Sequence, residues 1–142
     1  MTSDELKTFV DAHAGAWNRR DTGALCAHHA EDGIVSSPMF ARLRGRREIC
    51  SSYSALFAIF PDFHIEFGEP ICEGARVAMP FFVNATHQGE FMGLAGTGRR
   101  CEFEGVSLYE IDEHGLIRDE RRVYDFTGLL TQLGVLRVKP AR

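Results

Sequence analysis

Long apolar runs are missing from this sequence. The longest nearly apolar stretch, residues 77–83, is far short of the roughly 20 residues that cross a bilayer, so no membrane span is predicted. A basic start followed by an apolar segment is missing too. The N-terminus reads M-T-S-D-E-L-K, which argues against a secretory signal and predicts a cytoplasmic protein. No excess of basic charge is present: 16 Lys and Arg stand against 20 Asp and Glu, for a net charge of −4. The densest basic run, R-L-R-G-R-R at residues 42–47, is short, so nucleic acid is not an expected partner. Cysteines number four, and none of Cys26, Cys50, Cys72 and Cys101 shares a C-x-x-C or metal-ligand spacing. They predict four buried or half-buried thiols in a reducing compartment. No H-x-H, H-E-x-x-H or histidine–carboxylate grouping occurs at ligand spacing, so no metal is expected. No G-x-S-x-G, Walker or dinucleotide glycine pattern occurs either. Nucleophilic serine or cysteine chemistry has no positive sign, and no cofactor is expected.

What is present is an ordinary globular composition. The chain has 142 residues, 44% hydrophobic and 25% charged, which predicts one domain over 1–142 with a substantial core. Ser3 suits an N-cap, with Asp4 and Glu5 in the first turn. Leu6, Phe9, Val10, His13, Ala14 and Trp17 then recur at three- and four-residue steps, the mark of a helix face turned inward. That helix ends near Arg20, Asp21-Thr22-Gly23 breaks it, and a short helix follows over 24–29. Residues 31–44 read as a loop with short extended pieces. Over 46–60, Ile49, Tyr53, Leu56, Phe57 and Phe60 form a second helical stripe, which Pro61 stops.

After Pro61 the period changes from helical to two. Residues 63–67, 75–87, 100–112 and 116–126 read as strands, with a turn-like stretch at 93–98 and a short closing helix at 128–133. Helices first and strands afterward imply an α+β domain. Its curved antiparallel sheet would wrap the helices, with strands paired as a meander.

Several pieces carry a resemblance. They are W-N-R-R-D at 17–21, F-P-D-F at 60–63, T-H-Q-G-E-F-M-G at 86–93 and T-G-R at 97–99. E-G-V-S-L-Y-E-I at 104–111, H-G-L-I at 114–117 and Y-D-F-T-G-L-L-T-Q-L-G at 124–134 follow. In this order they resemble the SnoaL-like polyketide cyclases. The resemblance implies a cone-shaped fold shared with nuclear transport factor two and the steroid isomerases, hollow inside for a small apolar ligand. It implies intramolecular aldol chemistry without a cofactor, and a homodimer. Such chemistry needs only a placed carboxylate and an oxyanion donor, because the carbanion is delocalised within the substrate. Two positions depart from the cyclases. Their aspartate after a tryptophan in the last strand corresponds to Asp119-Glu120-Arg121-Arg122, where both residues are arginine. Their histidine corresponds to Ser107.

The residues themselves offer other candidates. Asp125, between Tyr124 and Phe126, is the leading carboxylate. It serves either as a base raised in pKa by apolar neighbours or as the cap of the next helix. Glu120 and Arg122 share a strand face with Tyr124. Facing inward, Arg122 would meet an anion; facing outward, the two are a modest surface ion pair. His87 is either an oxyanion donor or a histidine bonded to a turn. His64 alternates with the apolar Phe63 and Ile65 and so is a weaker ligand contact. His28, His29 and His114 read as helix-end and turn residues. Trp17, His13, Tyr53, Phe57 and Met92 are expected around an enclosed pocket of roughly a few hundred Å³.

The ligand expected is a small apolar or polycyclic carbonyl compound. Three functions follow: a cyclase or isomerase starting with proton abstraction, a limonene-epoxide-hydrolase-like enzyme, or a non-catalytic carrier. Epoxide hydrolysis needs an Asp-Arg-Asp group, of which Arg122 and Asp125 supply two parts. A convergent acid and donor favour an enzyme, and a purely apolar hollow favours a carrier.

Overall fold

Helix α1 (Ser3–Arg19) begins one residue earlier than a Ser3 cap predicts, because Thr2 rather than Ser3 is the N-cap. The Glu5 amide donates to Thr2 Oγ1 at 3.1 Å and the Thr2 amide donates to the Glu5 carboxylate at 2.9 Å, a reciprocal capping box. Its buried stripe is Leu6, Val10, His13, Ala16 and Trp17. The computed structural model describes residues 2–137 and 139–141. Helix α2 (Thr22–Ala27) is capped by Asp21, and α3 (Arg46–Ile59) buries Ile49, Ser52, Tyr53, Leu56 and Ile59.

Residues 31–44 are not a loop. They form most of β1 (His29–Ser37) and all of β2 (Ala41–Arg44), a hairpin in which Ile34 pairs with Arg44. The segment is polar and interrupted by Pro38, so it lacks a strand signal; pairing with the rest of the sheet makes it one. β3 (His64–Phe67), the short β4 (Ile71–Glu73), β5 (Arg76–Thr86), β6 (Arg100–Ile111) and β7 (Ile117–Tyr124) follow. The sheet runs β2-β1-β7-β6-β5-β3, with β4 also on β5. β5, β6 and β7 form the expected antiparallel meander, while β1 lies parallel to β7. Pro80 is tolerated inside β5 because its carbonyl side faces the gap between β3 and β4, where Gly68 donates to it at 2.9 Å.

Two apolar clusters fill the cone. The larger holds Trp17, Tyr53, Leu56, Phe63, Phe81 and Leu129 among others; the smaller holds Leu6, Val10, Met79, Tyr109 and Ile117. On the inner face Gly105 leaves room for aromatic rings. A Cβ there would stand 2.1 Å from the Val123 carbonyl oxygen and 2.9 Å from the Phe81 ring. Phe81, Phe103 and Tyr124 converge over it instead, with Phe103 and Tyr124 ring centres 5.0 Å apart.

The expectation of four thiols is corrected. Cys26 on α2 and Cys50 on α3 are joined as a disulfide, with Cα atoms 5.3 Å apart. Their sequence separation of 24 residues carries no motif, and only the packing of the two helices brings them together. Cys72 is exposed and Cys101 buried. Among the described residues no helix is long and apolar enough to cross a membrane.

Helix α4 (Phe126–Leu133) starts two residues before its sequence signal and ends at Gly134 in the left-handed region, φ 83°. Asp125 is its N-cap, accepting from the Gly128 amide at 2.9 Å, with its side chain at the surface. Asp125→Ala should lower unfolding free energy by about 1 kcal/mol in urea titrations. A loss below about 0.3 kcal/mol would show that the cap contributes nothing.

Candidate active site

Alternation along β7 turns Glu120 and Arg122 to the same side, and that side is the interior: both are buried, with Tyr124 half-buried beyond them. β6 presents Tyr109 opposite Glu120 and Ser107 opposite Arg122. A two-by-two patch of polar groups therefore lies on the floor of the sheet. Helix α3 drops Tyr53 onto it and α1 adds Trp17. Arg122 Nε donates to Glu120 Oε2 at 2.6 Å, and Nη2 reaches Glu120 Oε1 at 3.5 Å and Tyr53 Oη at 3.2 Å. The guanidinium carbon sits 5.2 Å from the Trp17 ring centre and 5.4 Å from that of Tyr53. Such stacking suits a weakly hydrated, planar cation. Burial is the strongest influence and works against its charge, but Glu120, Tyr53 and Tyr109 together outweigh it and raise the Arg122 pKa.

A chain of histidines backs this patch. His29 Nε2 lies 2.7 Å from Tyr53 Oη and 3.9 Å from Glu120 Oε1. The Trp17 indole N–H donates to His13 Nε2 at 3.2 Å, and His13 Nδ1 is 2.8 Å from His28 Nδ1. An indole only donates, so His13 accepts at Nε2 and carries its proton on Nδ1, which it gives to His28. Protonating either ring would set two N–H groups against each other. Burial lowers both His13 and His29 to about 3; Arg122 adds to the fall at His29, whereas Glu120 opposes it at His13. Tyr53 is raised above its ordinary value by burial.

Above the patch opens a hollow lined by Trp17, Leu56, Phe63, Phe81, Phe103 and Tyr124, with Ser107 and Arg122 as polar members. Its cavity volume is about 40 Å³. The sequence predicted an enclosed few hundred Å³. The space is tighter, and Met39 and Phe40, on the turn between β1 and β2, are part of its wall.

The expected lining is partly corrected. Trp17, Ser107, Arg122 and Tyr124 do border the hollow; Tyr53 and Phe57 do not, being core beneath and beside Trp17. His13 is buried behind Trp17. Met92 is exposed, in a left-handed turn at φ 52°. His64 points outward beside Glu66. His87 is buried away from the hollow, with Nδ1 3.0 Å from Thr97 Oγ1 in the loop that precedes β6. Asp125 stands outside as a cap. His29, a helix-end residue by sequence pattern, instead opens β1 and reaches Tyr53. Its only sequence signal is a position one residue after the break of α2. Among the described residues no three His, Cys, Asp or Glu side chains gather as a metal site.

The profile of the SnoaL-like polyketide cyclase family matches residues 7–133. No curated protein matches significantly. Among solved structures, AclR of Streptomyces galilaeus, provisionally a hydroxylase, is 29% identical with a TM-score of 0.83, covering 98% of this chain and 87% of its own. IdmH of Streptomyces antibioticus, provisionally a polyketide cyclase, is 24% identical with a TM-score of 0.75, covering 90% and 97%. An LEH-like epoxide hydrolase of M. tuberculosis is 19% identical with a TM-score of 0.72, covering 93% and 91%. The last two share the fold.

Proposed function

The chain belongs to the SnoaL-like polyketide cyclase family, and from that premise we propose a cofactor-independent enzyme acting on a small carbonyl compound held in the apolar hollow. The observation that carries this reading is Arg122, a guanidinium fixed by a buried carboxylate in an otherwise largely apolar wall. The reaction begins with loss of a proton from the carbon beside a carbonyl. The electron pair moves onto the carbonyl oxygen, and negative charge grows where Arg122 stands. A cation already held by Glu120, Tyr53 and Trp17 need not reorganise to meet that charge, which lowers the barrier. Glu120, the single buried carboxylate among the described residues, is the proton acceptor in this reading, standing directly behind Arg122. The enolate carbon then attacks a second carbonyl carbon and closes a ring, or is reprotonated elsewhere. In the first case the proton returns to the new alkoxide.

The carrier reading has less support, since an apolar passenger needs no buried ion pair. Epoxide hydrolysis has less too, since no second carboxylate stands near Arg122 among the described residues. The test is exchange of the methyl protons of acetophenone in heavy water, followed by NMR. Wild-type protein should exceed buffer, and Arg122→Met should lose about 10²-fold of that rate. No acceleration by the wild type, or an unchanged rate in the variant, would sink the reading.

We also propose a homodimer through the outer face of the sheet. Leu108 and Val123 are exposed there, Val106 pairs with Val123, and Arg121 pairs with Leu108. An apolar patch edged by charge is the usual form of such an interface. Light scattering should give twice the chain mass at micromolar concentration, and Val123→Glu should halve it. A monomer mass for the wild type would defeat the proposal.

A further inference from the structure

Which hydrogens of Arg122 are already committed decides what kind of oxygen the site can hold. A guanidinium has five N–H bonds and two edges that chelate a carboxylate: the side edge, Nε with Nη2, and the end edge, Nη1 with Nη2. In this protein Glu120 occupies the side edge, through Nε at 2.6 Å and Nη2 at 3.5 Å. The remaining Nη2 hydrogen goes to Tyr53 Oη at 3.2 Å, which blocks the end edge. Among the described residues Nη1 has no hydrogen-bond partner, and Arg122 borders the hollow. Only one nitrogen of the fork is left for a ligand. Ser107, paired with Arg122 across β6 and β7, borders the same hollow and brings one neutral hydroxyl to it.

Resting on the reading of Arg122 as an anion clamp, we infer that the site selects ligands presenting a single anionic or strongly accepting oxygen, an enolate or phenolate, and discriminates against carboxylates. A single oxygen takes the Nη1 hydrogen bond and concentrates its charge there. A carboxylate spreads its charge over two oxygens and finds no two-nitrogen edge. Its second oxygen is left with a hydroxyl at best, among Trp17, Phe63, Phe81 and Phe103. Burying a charged oxygen with poor partners is unfavourable. Tyr53 is thereby a specificity-determining residue as well as a support for Arg122.

The experiment compares 4-nitrophenolate with 4-nitrobenzoate by calorimetric titration at a pH where both are anions. Both are single-ring probes of similar size. Wild-type protein should bind the phenolate about tenfold more tightly, the worth of one charged hydrogen bond. Arg122→Met should weaken phenolate binding by about tenfold and erase the preference. Tyr53→Phe returns an Nη2 hydrogen to the end edge, so nitrobenzoate should gain affinity and the preference should narrow. Near-UV circular dichroism checks that each variant is folded, and the wild-type comparison stands without them. If nitrobenzoate binds as tightly as nitrophenolate and both depend on Arg122, the selectivity is wrong while the clamp survives. If neither probe binds, or neither notices Arg122→Met, the clamp itself fails. A folded Tyr53→Phe protein with unchanged preference overturns the role of the blocked edge.

Discussion

Glu120→Ala should destabilise the protein by about 3–5 kcal/mol in urea titrations, or prevent folding, because it leaves a buried guanidinium without its counter-charge. Glu120 is fully buried and Arg122 is 8% exposed, so water cannot replace the lost carboxylate. The remaining partners of Arg122 are a phenol oxygen and two aromatic faces, none of which carries a full negative charge. Removing both charges together should cost far less. The double variant Glu120→Leu with Arg122→Met fills similar volume with apolar atoms and abolishes the desolvation problem, so it should recover most of the stability lost by the single change. If the single variant costs under about 1 kcal/mol, the pair is more solvated than its burial indicates. Should the double variant be as unstable as the single one, the loss is one of packing rather than of charge.

Acid should unfold this protein earlier than its surface would suggest. His13 and His29 titrate at about 3 in the folded chain against 6.5 in the unfolded one, mainly because burial disfavours their charged forms. Between those values the unfolded chain binds protons that the folded chain refuses. Stability is therefore complete above 6.5 and falls as the pH drops towards 3. Near pH 5 each histidine should have removed about 2 kcal/mol, or about 4 kcal/mol together, a large share of a typical domain's stability. The tautomer order from Trp17 through His13 to His28 adds to the refusal, since every hydrogen bond in it needs neutral rings. Urea titrations at pH 7.5 and pH 5 measure the difference. His29→Asn should remove about half of it. A flat profile would mean that the rings reach solvent in the folded state.

The outward side of the sheet was partly legible before the fold was known. Alternation in β6 and β7 separates Val106, Leu108 and Val123 from Ser107, Glu120 and Arg122, but it does not say which set faces inward. The helical stripes of α1 and α3 were legible too, because Leu6, Val10, Trp17, Ile49, Tyr53 and Leu56 follow the helix period. β1 and β2 were not. Their residues are polar and irregular, and they become strands only through pairing with each other and with β7.

The sequence alone determined the period changes, the break at Pro61, the meander of the last three strands and the family, because these rest on local pattern and order along the chain. Tertiary structure decided the rest. Asp125 sits in an apolar sequence neighbourhood yet ends at the surface as a cap, since the helix it starts has amides to satisfy. Alternation left Glu120 and Arg122 free to face either the cavity or solvent, and the curl of the sheet around α1 and α3 turns them inward, where Tyr53, Trp17, His29 and each other surround them. His29 and Tyr53 are 24 residues apart and in contact. Such contacts depend on the depth at which elements pack, and no periodicity encodes depth.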